Sequence, residues 1–240
     1  ASDVYKRQVN KLCPEKRMTP VLGEERANKV KDKNTYYVPF VMEPKVSPEN
    51  REYQEGQVIR IFSVGKYEER KNHKMLLQAV EELGKKFSIK LTIAGECSTE
   101  FHKRYFKELC DEIEKKNMGD MVELFQNLNR EQMAEHYKKT DVFIIPSTNE
   151  PASISQLEAM AYSVPVICSD KNGTACYVEE GKNGYLFQDN NLQSLKERIL
   201  RLLENPEEVK SMGKESYRLI MEKYQFEQYY EKIQKIVTVK

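Results

Sequence analysis

The chain has 240 residues, of which 39% are hydrophobic and 32% charged, and its formal net charge is +1. This composition is ordinary for a globular protein of one large or two small domains, and the near-neutral charge argues against a general nucleic-acid binder. No apolar run approaches the roughly 20 residues that a membrane span needs.

The first 57 residues differ in pattern from the rest of the chain. Residues 1–8, ASDVYKRQ, resemble a translated cloning or sequencing-adapter scar, so we do not expect them to belong to the natural protein. Residues 9–57 are polar and charged, apart from the apolar island YYVPFVM at residues 36–42. A flexible leader is one interpretation of this segment.

From residue 58 onward, strand and helix patterns alternate. Runs of β-branched residues predict strands, and apolar residues at intervals of three and four predict helices. Strands are predicted at residues 58–64, 89–94, 122–125 and 142–145, and helices at residues 73–83, 99–116 and 130–139. Strands separated by helices of ten or more residues imply right-handed crossovers and a parallel sheet. The expected fold class is therefore α/β, with a doubly wound, Rossmann-like parallel sheet over residues 58–240.

Residues 141–170, DVFIIPSTNEPASISQLEAMAYSVPVICSD, are predicted to form a strand, a loop, a helix and a second strand at residues 164–168. Ser153 followed by Gln156 is a capping-box pattern and predicts that the helix starts there. Glu150 then lies just ahead of the helix, and Glu158 in its second turn. Because free N–H groups and the positive dipole end lie at a helix start, this end suits a phosphate, with Glu158 beside it for a hydroxyl group.

The remaining chain predicts a turn at residues 172–174, a last strand at residues 184–187 and three C-terminal helices, at residues 192–203, 206–223 and 226–236. The five cysteines show no C-x-x-C spacing, which favours free thiols in a reducing compartment. The three histidines fall in scattered helical segments, so no metal site is expected.

Glu150 and Glu158 stand in the context E-P-x-S-x-x-x-x-E-A-M-A, followed by P-V-I-x-S. This pattern resembles the signature of retaining glycosyltransferases of the two-Rossmann-domain (GT-B) type, in particular the family-four-like group 1 enzymes. The resemblance covers residues 58 to about 237. It implies that residues 58–240 are the C-terminal, nucleotide-sugar donor-binding half of a GT-B fold, closed by C-terminal helices. It also implies that residues 9–57 hold a remnant of the N-terminal domain and the interdomain linker.

The resemblance also assigns roles to a loop after the first strand. Gly65, Lys66 and Lys71 match the family's G-R-x-x-x-x-K, in which the two cations grip the donor diphosphate. Lys66 stands where the family has arginine, and a lysine lacks the bidentate fork of a guanidinium group. Arg70, next to Lys71, is therefore a further candidate for this contact. Lys66 and Lys71 are expected to be catalytic, because they stabilise the departing nucleoside diphosphate.

Glu150 is the third expected catalytic residue, since the first glutamate of the motif contacts the donor sugar in the family. Ser153, Ile154 and Ser155 are expected to bind the donor through backbone N–H groups, although the family usually has glycine at the position of Ser153. The resemblance implies that Glu158 binds the ribose, its oxygens accepting hydrogen bonds from the two ribose hydroxyls.

The chain contains no D-x-D motif, which glycosyltransferases of the other major fold use to hold a divalent metal. We therefore expect metal-independent catalysis without a cofactor. The expected partners are a nucleotide-sugar donor, a glycan, polysaccharide or lipid-linked acceptor, and the missing N-terminal domain, but not nucleic acid. The expected location is the cytoplasm, with peripheral association of the full-length enzyme at the inner membrane face. A nucleotide-sugar epimerase and a non-catalytic nucleotide-binding module are the alternatives.

Overall fold

The computed structural model describes residues 16–30, 34–51 and 58–238. Its strands are β1 (Arg17–Thr19), β2 (Thr35–Tyr37), β3 (Val58–Val64), β4 (Ser88–Gly95), β5 (Val122–Gln126), β6 (Val142–Ile145), β7 (Val166–Ser169) and β8 (Gly184–Phe187). Strands β3 to β8 form one parallel sheet in the order β5-β4-β3-β6-β7-β8, and β1 pairs with β2 in a separate parallel ribbon. The predicted doubly wound α/β fold is confirmed.

The helices are α1 (Ala27–Val30), α2 (His73–Gly84), α3 (Glu100–Lys115), α4 (Arg130–Lys139), α5 (Ser155–Ala161), α6 (Leu192–Glu204), α7 (Pro206–Lys223) and α8 (Phe226–Thr238). The predicted bounds of β3, β6, β8, α4 and α7 match those observed, and the other predicted elements begin or end within two residues of the observed bounds.

Apolar clusters cover both faces of the large sheet. Side chains of successive strand residues point to opposite faces, and Phe143 and Ile144 accordingly belong to different clusters. One cluster joins the sheet to α2, α3 and α6, and the other joins it to α4, α5 and the end of α7. Strands β6 and β7 are buried at every position, which explains why all their residues except Ser169 are apolar.

The strand order reverses between β3 and β6. The chain runs outward from β3 through β4 to β5, then returns to the other side of β3 and continues through β6, β7 and β8. In open parallel sheets, ligands bind at the carboxyl ends of the strands that flank such a reversal. A ligand-binding site is therefore expected at the loops after β3 and β6.

The described part of the N-terminal segment packs against the C-terminal helix. Val38 is buried with Tyr229, Ile233 and Ile236 of α8 in a third, smaller cluster. The apolar island at residues 36–42 thus has a packing role. The predicted scar at residues 1–8 lies outside the described residues, and the domain limits at residues 9–57 and 58–240 stay predictions.

Candidate functional site

Two loops meet where the strand order reverses. The loop after β3 contains a 3-10 turn, Glu69–Lys71, after which α2 begins. In the loop after β6, Asn149 has a left-handed backbone (φ 49°) and turns the chain immediately before Glu150. The N–H group of Thr148 donates to the carbonyl oxygen of Arg70 at 3.0 Å. A backbone hydrogen bond thus joins the two loops that the topology brings together.

A buried carboxylate with two cations lies at this junction. Glu150 is only 5% exposed, and its Oε2 atom lies 2.5 Å from Lys71 Nζ and 3.0 Å from Arg70 Nη1. Arg70 also reaches Glu68, at 2.8 Å. A buried carboxylate needs such partners, because an uncompensated charge away from water is costly. Two loops that are far apart in sequence therefore supply one compact charged cluster.

Gly65 makes room for Lys71. A Cβ atom added to Gly65 would lie 2.9 Å from Cδ of Lys71, closer than real Cβ contacts allow. The aliphatic stem of Lys71 therefore passes directly over the glycine backbone on its way to Glu150. The first and last residues of the predicted G-K-x-x-x-x-K pattern are in contact for this steric reason.

Lys66 does not join the cluster on Glu150. Its Nζ atom lies 3.0 Å from Glu96 Oε2, in the loop after β4, and both side chains are about half exposed (52% and 45%). The structure thus brings Lys71 to Glu150 and places Arg70, rather than Lys66, as the second cation on that carboxylate.

The predicted turn at residues 172–174 supports the Glu150 loop from behind. The N–H group of Gly173 donates to the carbonyl oxygen of Glu150 at 2.8 Å. A Cβ atom on Gly173 would lie 2.0 Å from the carbonyl oxygen of Pro151, so no larger residue fits here without moving that backbone. The hydroxyl oxygen of Thr174 accepts from the N–H group of Ser153 at 3.2 Å. The position of the Glu150 loop is therefore coupled to the turn at residues 172–174.

The predicted capping box at Ser153 and Gln156 is wrong. Helix α5 begins at Ser155, and Ile154 at its cap position makes no side-chain cap hydrogen bond. The Gln156 side chain is instead buried against Thr174, donating to its carbonyl oxygen at 3.1 Å and accepting from its hydroxyl at 3.2 Å. The hydroxyl oxygens of Ser153 and Ser155 lie 2.9 Å apart. Gln156 therefore forms hydrogen bonds with Thr174, outside the local pattern, instead of capping the helix.

Glu158 lines a cleft of about 900 Å³ between α4, α5 and the segment that leads into the large sheet. The cleft wall is mostly apolar, with Phe40, Met42, Leu128, Met133, Ile154 and Tyr162 among its residues. Tyr137, also in this wall, donates its hydroxyl hydrogen to Glu158 Oε2 at 2.8 Å. Burial, with the neighbouring carboxylate, raises the pKa of Tyr137 well above its usual value, which keeps the hydroxyl protonated as a donor.

Sequence reasoning missed two residues that hold the site. Tyr137 was predicted to be helical, but nothing in the sequence relates it to Glu158. Thr174 was assigned only to a turn, yet it contacts both Ser153 and Gln156. In both cases the partner is 18 or more residues away, so the local pattern carries no signal for the contact.

A buried histidine lies under the loop after β3. His73 is 1% exposed, and its ring lies 5.6 Å from that of Tyr67 and 6.0 Å from that of Tyr105. Burial, with a smaller contribution from the positive charge of Lys71, lowers the pKa of His73 to about 3. The histidine is therefore neutral near pH 7.

Cys97, Cys110, Cys168 and Cys176 are free thiols. Within residues 16–30, 34–51 and 58–238, no three His, Cys, Asp or Glu side chains are grouped so that they could hold a metal ion. Over the same residues, none of the helices combines the length and the apolar character that crossing a membrane requires.

Solved structures share this fold. Sucrose-phosphate synthase from Thermosynechococcus elongatus superposes with a TM-score of 0.75 at 20% identity, over 91% of this chain and 56% of that one. A mutant of TarM from Staphylococcus aureus, in complex with fondaparinux, alpha-GlcNAc-glycerol and UDP, superposes with a TM-score of 0.74 at 22% identity, over 98% of this chain and 46% of that one. The parallel sheet with its flanking helices is thus the fold of GT-B glycosyltransferase structures.

Sequence comparison supports the same family. An uncharacterized glycosyltransferase from Methanocaldococcus jannaschii is 29% identical over 161 residues, which cover 67% of this chain and 43% of the relative. The chain thus spans less than half the length of that relative. The family model described as "Glycosyl transferases group 1" matches residues 48–219, which is most of the chain. The chain therefore belongs to the group 1 glycosyl transferase family.

Proposed function

We propose that this chain is the donor-binding half of a retaining glycosyltransferase, which transfers a sugar from a nucleoside diphosphate sugar to a glycan, polysaccharide or lipid-linked acceptor. One observation carries the proposal. Two cations, Lys71 and Arg70, converge on the buried Glu150 at the carboxyl ends of β3 and β6, where the strand order reverses. Parallel sheets bind ligands at such a point, and this cluster combines groups for a diphosphate with one for a sugar hydroxyl.

The cations stabilise the leaving group in this proposal. When the bond between the sugar and the diphosphate breaks, negative charge grows on the diphosphate oxygens. Lys71 and Arg70 are already fixed beside Glu150, so they interact with that charge without first having to be ordered. A preorganised donor of this kind typically contributes about 2 to 4 kcal/mol in the transition state. No metal ion is required in this proposal, because protein cations neutralise the diphosphate.

Glu150 and Glu158 have separate tasks. Glu150, at the junction of the loops, accepts a hydrogen bond from a hydroxyl of the donor sugar. Glu158, in the neighbouring cleft, accepts from the ribose hydroxyls, while Tyr137 holds one of its oxygens at 2.8 Å. The apolar wall of the cleft suits the flat face of a nucleotide base. The backbone around Ser153, Ile154 and Ser155 connects the two glutamates and contacts the phosphate or the sugar.

In this proposal, the acceptor binds to a domain outside this chain. The chain covers less than half of several relatives, and a TarM structure of the same fold contains UDP together with glycosides. We therefore place the acceptor on an N-terminal domain and the nucleotide on this one. The leaving diphosphate deprotonates the acceptor hydroxyl in this scheme, so no protein base is assigned. This chain alone is expected to bind nucleotide but to transfer sugar poorly.

The test is a thermal melt with UDP, GDP, ADP and CMP, first in EDTA and then with magnesium. A ligand at a hundred times its dissociation constant adds about 2.7 kcal/mol of stability. We expect one nucleotide to raise the melting temperature in EDTA. Glu158→Gln should reduce the rise, whereas Glu207→Gln, on α7 and outside the cleft, should preserve it.

Three results would contradict the proposal in different ways. A shift with none of the nucleotides indicates a module without a donor site. A shift that appears only with magnesium removes the metal-independent scheme. Conversion of a UDP-sugar to its epimer without an acceptor identifies a nucleotide-sugar epimerase instead.

A further inference from the structure

The segment at residues 45–51 fastens the carboxyl ends of α4 and α5. The N–H groups of Lys45 and Val46 donate to the carbonyl oxygen of Ala161 at 2.9 and 3.1 Å. The Ser163 hydroxyl donates to the carbonyl oxygen of Val46 at 2.7 Å. The residues just before this segment, at residues 40–43, line the same cleft as Glu158. The cleft wall and this attachment are therefore continuous along the chain.

Arg51 connects both helix ends. Arg51 is 7% exposed, and its guanidinium group donates to the carbonyl oxygen of Tyr162, after α5, at 2.6 Å. It also donates to the carbonyl oxygen of Thr140, after α4, and lies 3.5 Å from that of Tyr137. One side chain therefore reaches the ends of two different helices.

An arginine suits this position for two physical reasons. The last carbonyl groups of a helix have no partner within the helix, and they carry its partial negative charge. A guanidinium group presents several donors in a fixed plane, so it can satisfy carbonyl groups from both helices at once. A lysine would keep the charge but lose the fixed geometry.

The two helices also carry the groups that hold Glu158. The rings of Tyr137 and Tyr162 stack with centroids 5.4 Å apart and planes 15° apart. Tyr137, 2% exposed, donates its hydroxyl hydrogen to Glu158. A shift of α4 relative to α5 would therefore move the Tyr137 hydroxyl relative to the Glu158 carboxylate.

We propose that Arg51 and Tyr137 are positioning residues for Glu158. Arg51 fixes the spacing of α4 and α5, and Tyr137 holds one carboxylate oxygen so that the carboxylate faces the ribose hydroxyls. The inference rests on the proposed function, because it assigns the ribose to Glu158. It predicts that changes at both residues affect recognition of the ribose hydroxyls more than recognition of the base or the phosphates.

The test compares a ribonucleotide with its 2′-deoxy form, using the nucleotide that the melts select. Titration calorimetry gives both dissociation constants for the wild-type chain, Tyr137→Phe and Arg51→Lys. Loss of one hydrogen bond of this kind lowers affinity by about 2- to 10-fold. We expect both variants to lower the preference for the ribonucleotide by about that factor, with the 2′-deoxy affinity almost unchanged. Tyr105→Phe, a buried tyrosine of the other apolar cluster, is the control and should keep the wild-type preference.

The outcomes separate this inference from the proposed function. If the wild-type chain binds no nucleotide, or if Glu158→Gln leaves its ribose preference intact, the ribose assignment fails and the inference fails with it. If Glu158→Gln removes the preference but Tyr137→Phe and Arg51→Lys retain it, only the inference is overturned. Tyr137→Phe removes a single oxygen atom and decides the question even if Arg51→Lys does not fold.

Discussion

The ion pair between Lys71 and Glu150 should contribute to stability as well as to donor binding. The informative change is Lys71→Met, combined in a double-mutant cycle with Glu150→Gln. Methionine keeps much of the apolar stem that crosses Gly65 but removes the ammonium group. Glutamine keeps the shape of Glu150 and removes its charge. Each single variant therefore deletes the charge interaction with little change in packing.

The magnitude follows from burial. Glu150 is 5% exposed and the Lys71 side chain 14% exposed, so the pair is largely removed from water. Breaking a buried pair by removing one partner typically costs about 3 to 5 kcal/mol. Arg70 remains on the same oxygen but is 40% exposed, so it compensates only in part. We expect Lys71→Met to cost about 3 kcal/mol, equivalent to a fall in melting temperature of about 6 to 12 °C for a chain of this size.

The assay is urea denaturation of the wild-type chain, both single variants and the double variant. Because the double variant leaves no uncompensated carboxylate, it should be more stable than the sum of the single effects predicts, by about 2 kcal/mol. The exposed pair of Lys107 and Asp111 on α3 provides the control cycle, in which no coupling beyond experimental error is expected. Additive effects at Lys71 and Glu150 would refute the argument, because they would mean that the carboxylate does not depend on the lysine.

Three further outcomes are expected. Gly173→Ala should lower the free energy of unfolding in urea by about 1 to 3 kcal/mol, because the added Cβ atom would collide with the carbonyl oxygen of Pro151. Gly119→Ala, whose added Cβ atom meets no atom within 4 Å, should have little effect, and equal effects of the two changes would contradict this argument. Burial lowers the pKa of His73 to about 3 against about 6.5 in the unfolded chain, so the unfolded state binds more protons between these values and stability falls as the pH drops below about 6.5. Between pH 7 and pH 5 the wild-type chain should lose about 2 kcal/mol more than His73→Phe, and parallel pH profiles would count against this assignment. Lys66→Ala should leave the melting temperature unchanged but weaken the binding of a nucleoside diphosphate more than that of the nucleoside, as calorimetry can measure; equal weakening would exclude a phosphate role.

The regular part of the fold was predictable because local and tertiary signals agree there. Strands β3, β6 and β8 are mostly apolar and are bounded by glycine, proline or polar turns, so their limits follow from composition. The short strands β1 and β2 were not predicted. Each has only three residues, β1 in a polar stretch and β2 at the start of the apolar island. The ribbon adjoins a cluster formed with α8, a contact between residues near the two ends of the chain. Strands of this kind follow from tertiary packing rather than from propensity.

The start of α5 shows how a local pattern can mislead. Ser153 and Gln156 have the spacing of a capping box, but both residues form hydrogen bonds with Thr174 instead. Both arrangements satisfy polar groups, but the one observed also joins the Glu150 loop to the turn at residues 172–174. A local sequence pattern contains no information about a hydrogen-bond partner 18 residues away.

The sequence predicted that the charged loops after β3 and β6 lie together, but not which cation pairs with which carboxylate. The positive charges of Lys71 and Arg70 are paired with Glu150 and Glu68, so on the proposed function these two cations donate to a diphosphate from within a cluster that carries no net charge. Lys66 can supply additional positive charge on the proposed function. Its present partner, Glu96, is an exposed carboxylate, and exposed ion pairs contribute little to stability. Lys66 can therefore leave Glu96 at small cost when a diphosphate arrives, whereas Lys71 must stay to compensate the buried Glu150. In this scheme, Lys71 and Arg70 interact with the diphosphate from fixed positions, and Lys66 moves to it when it binds.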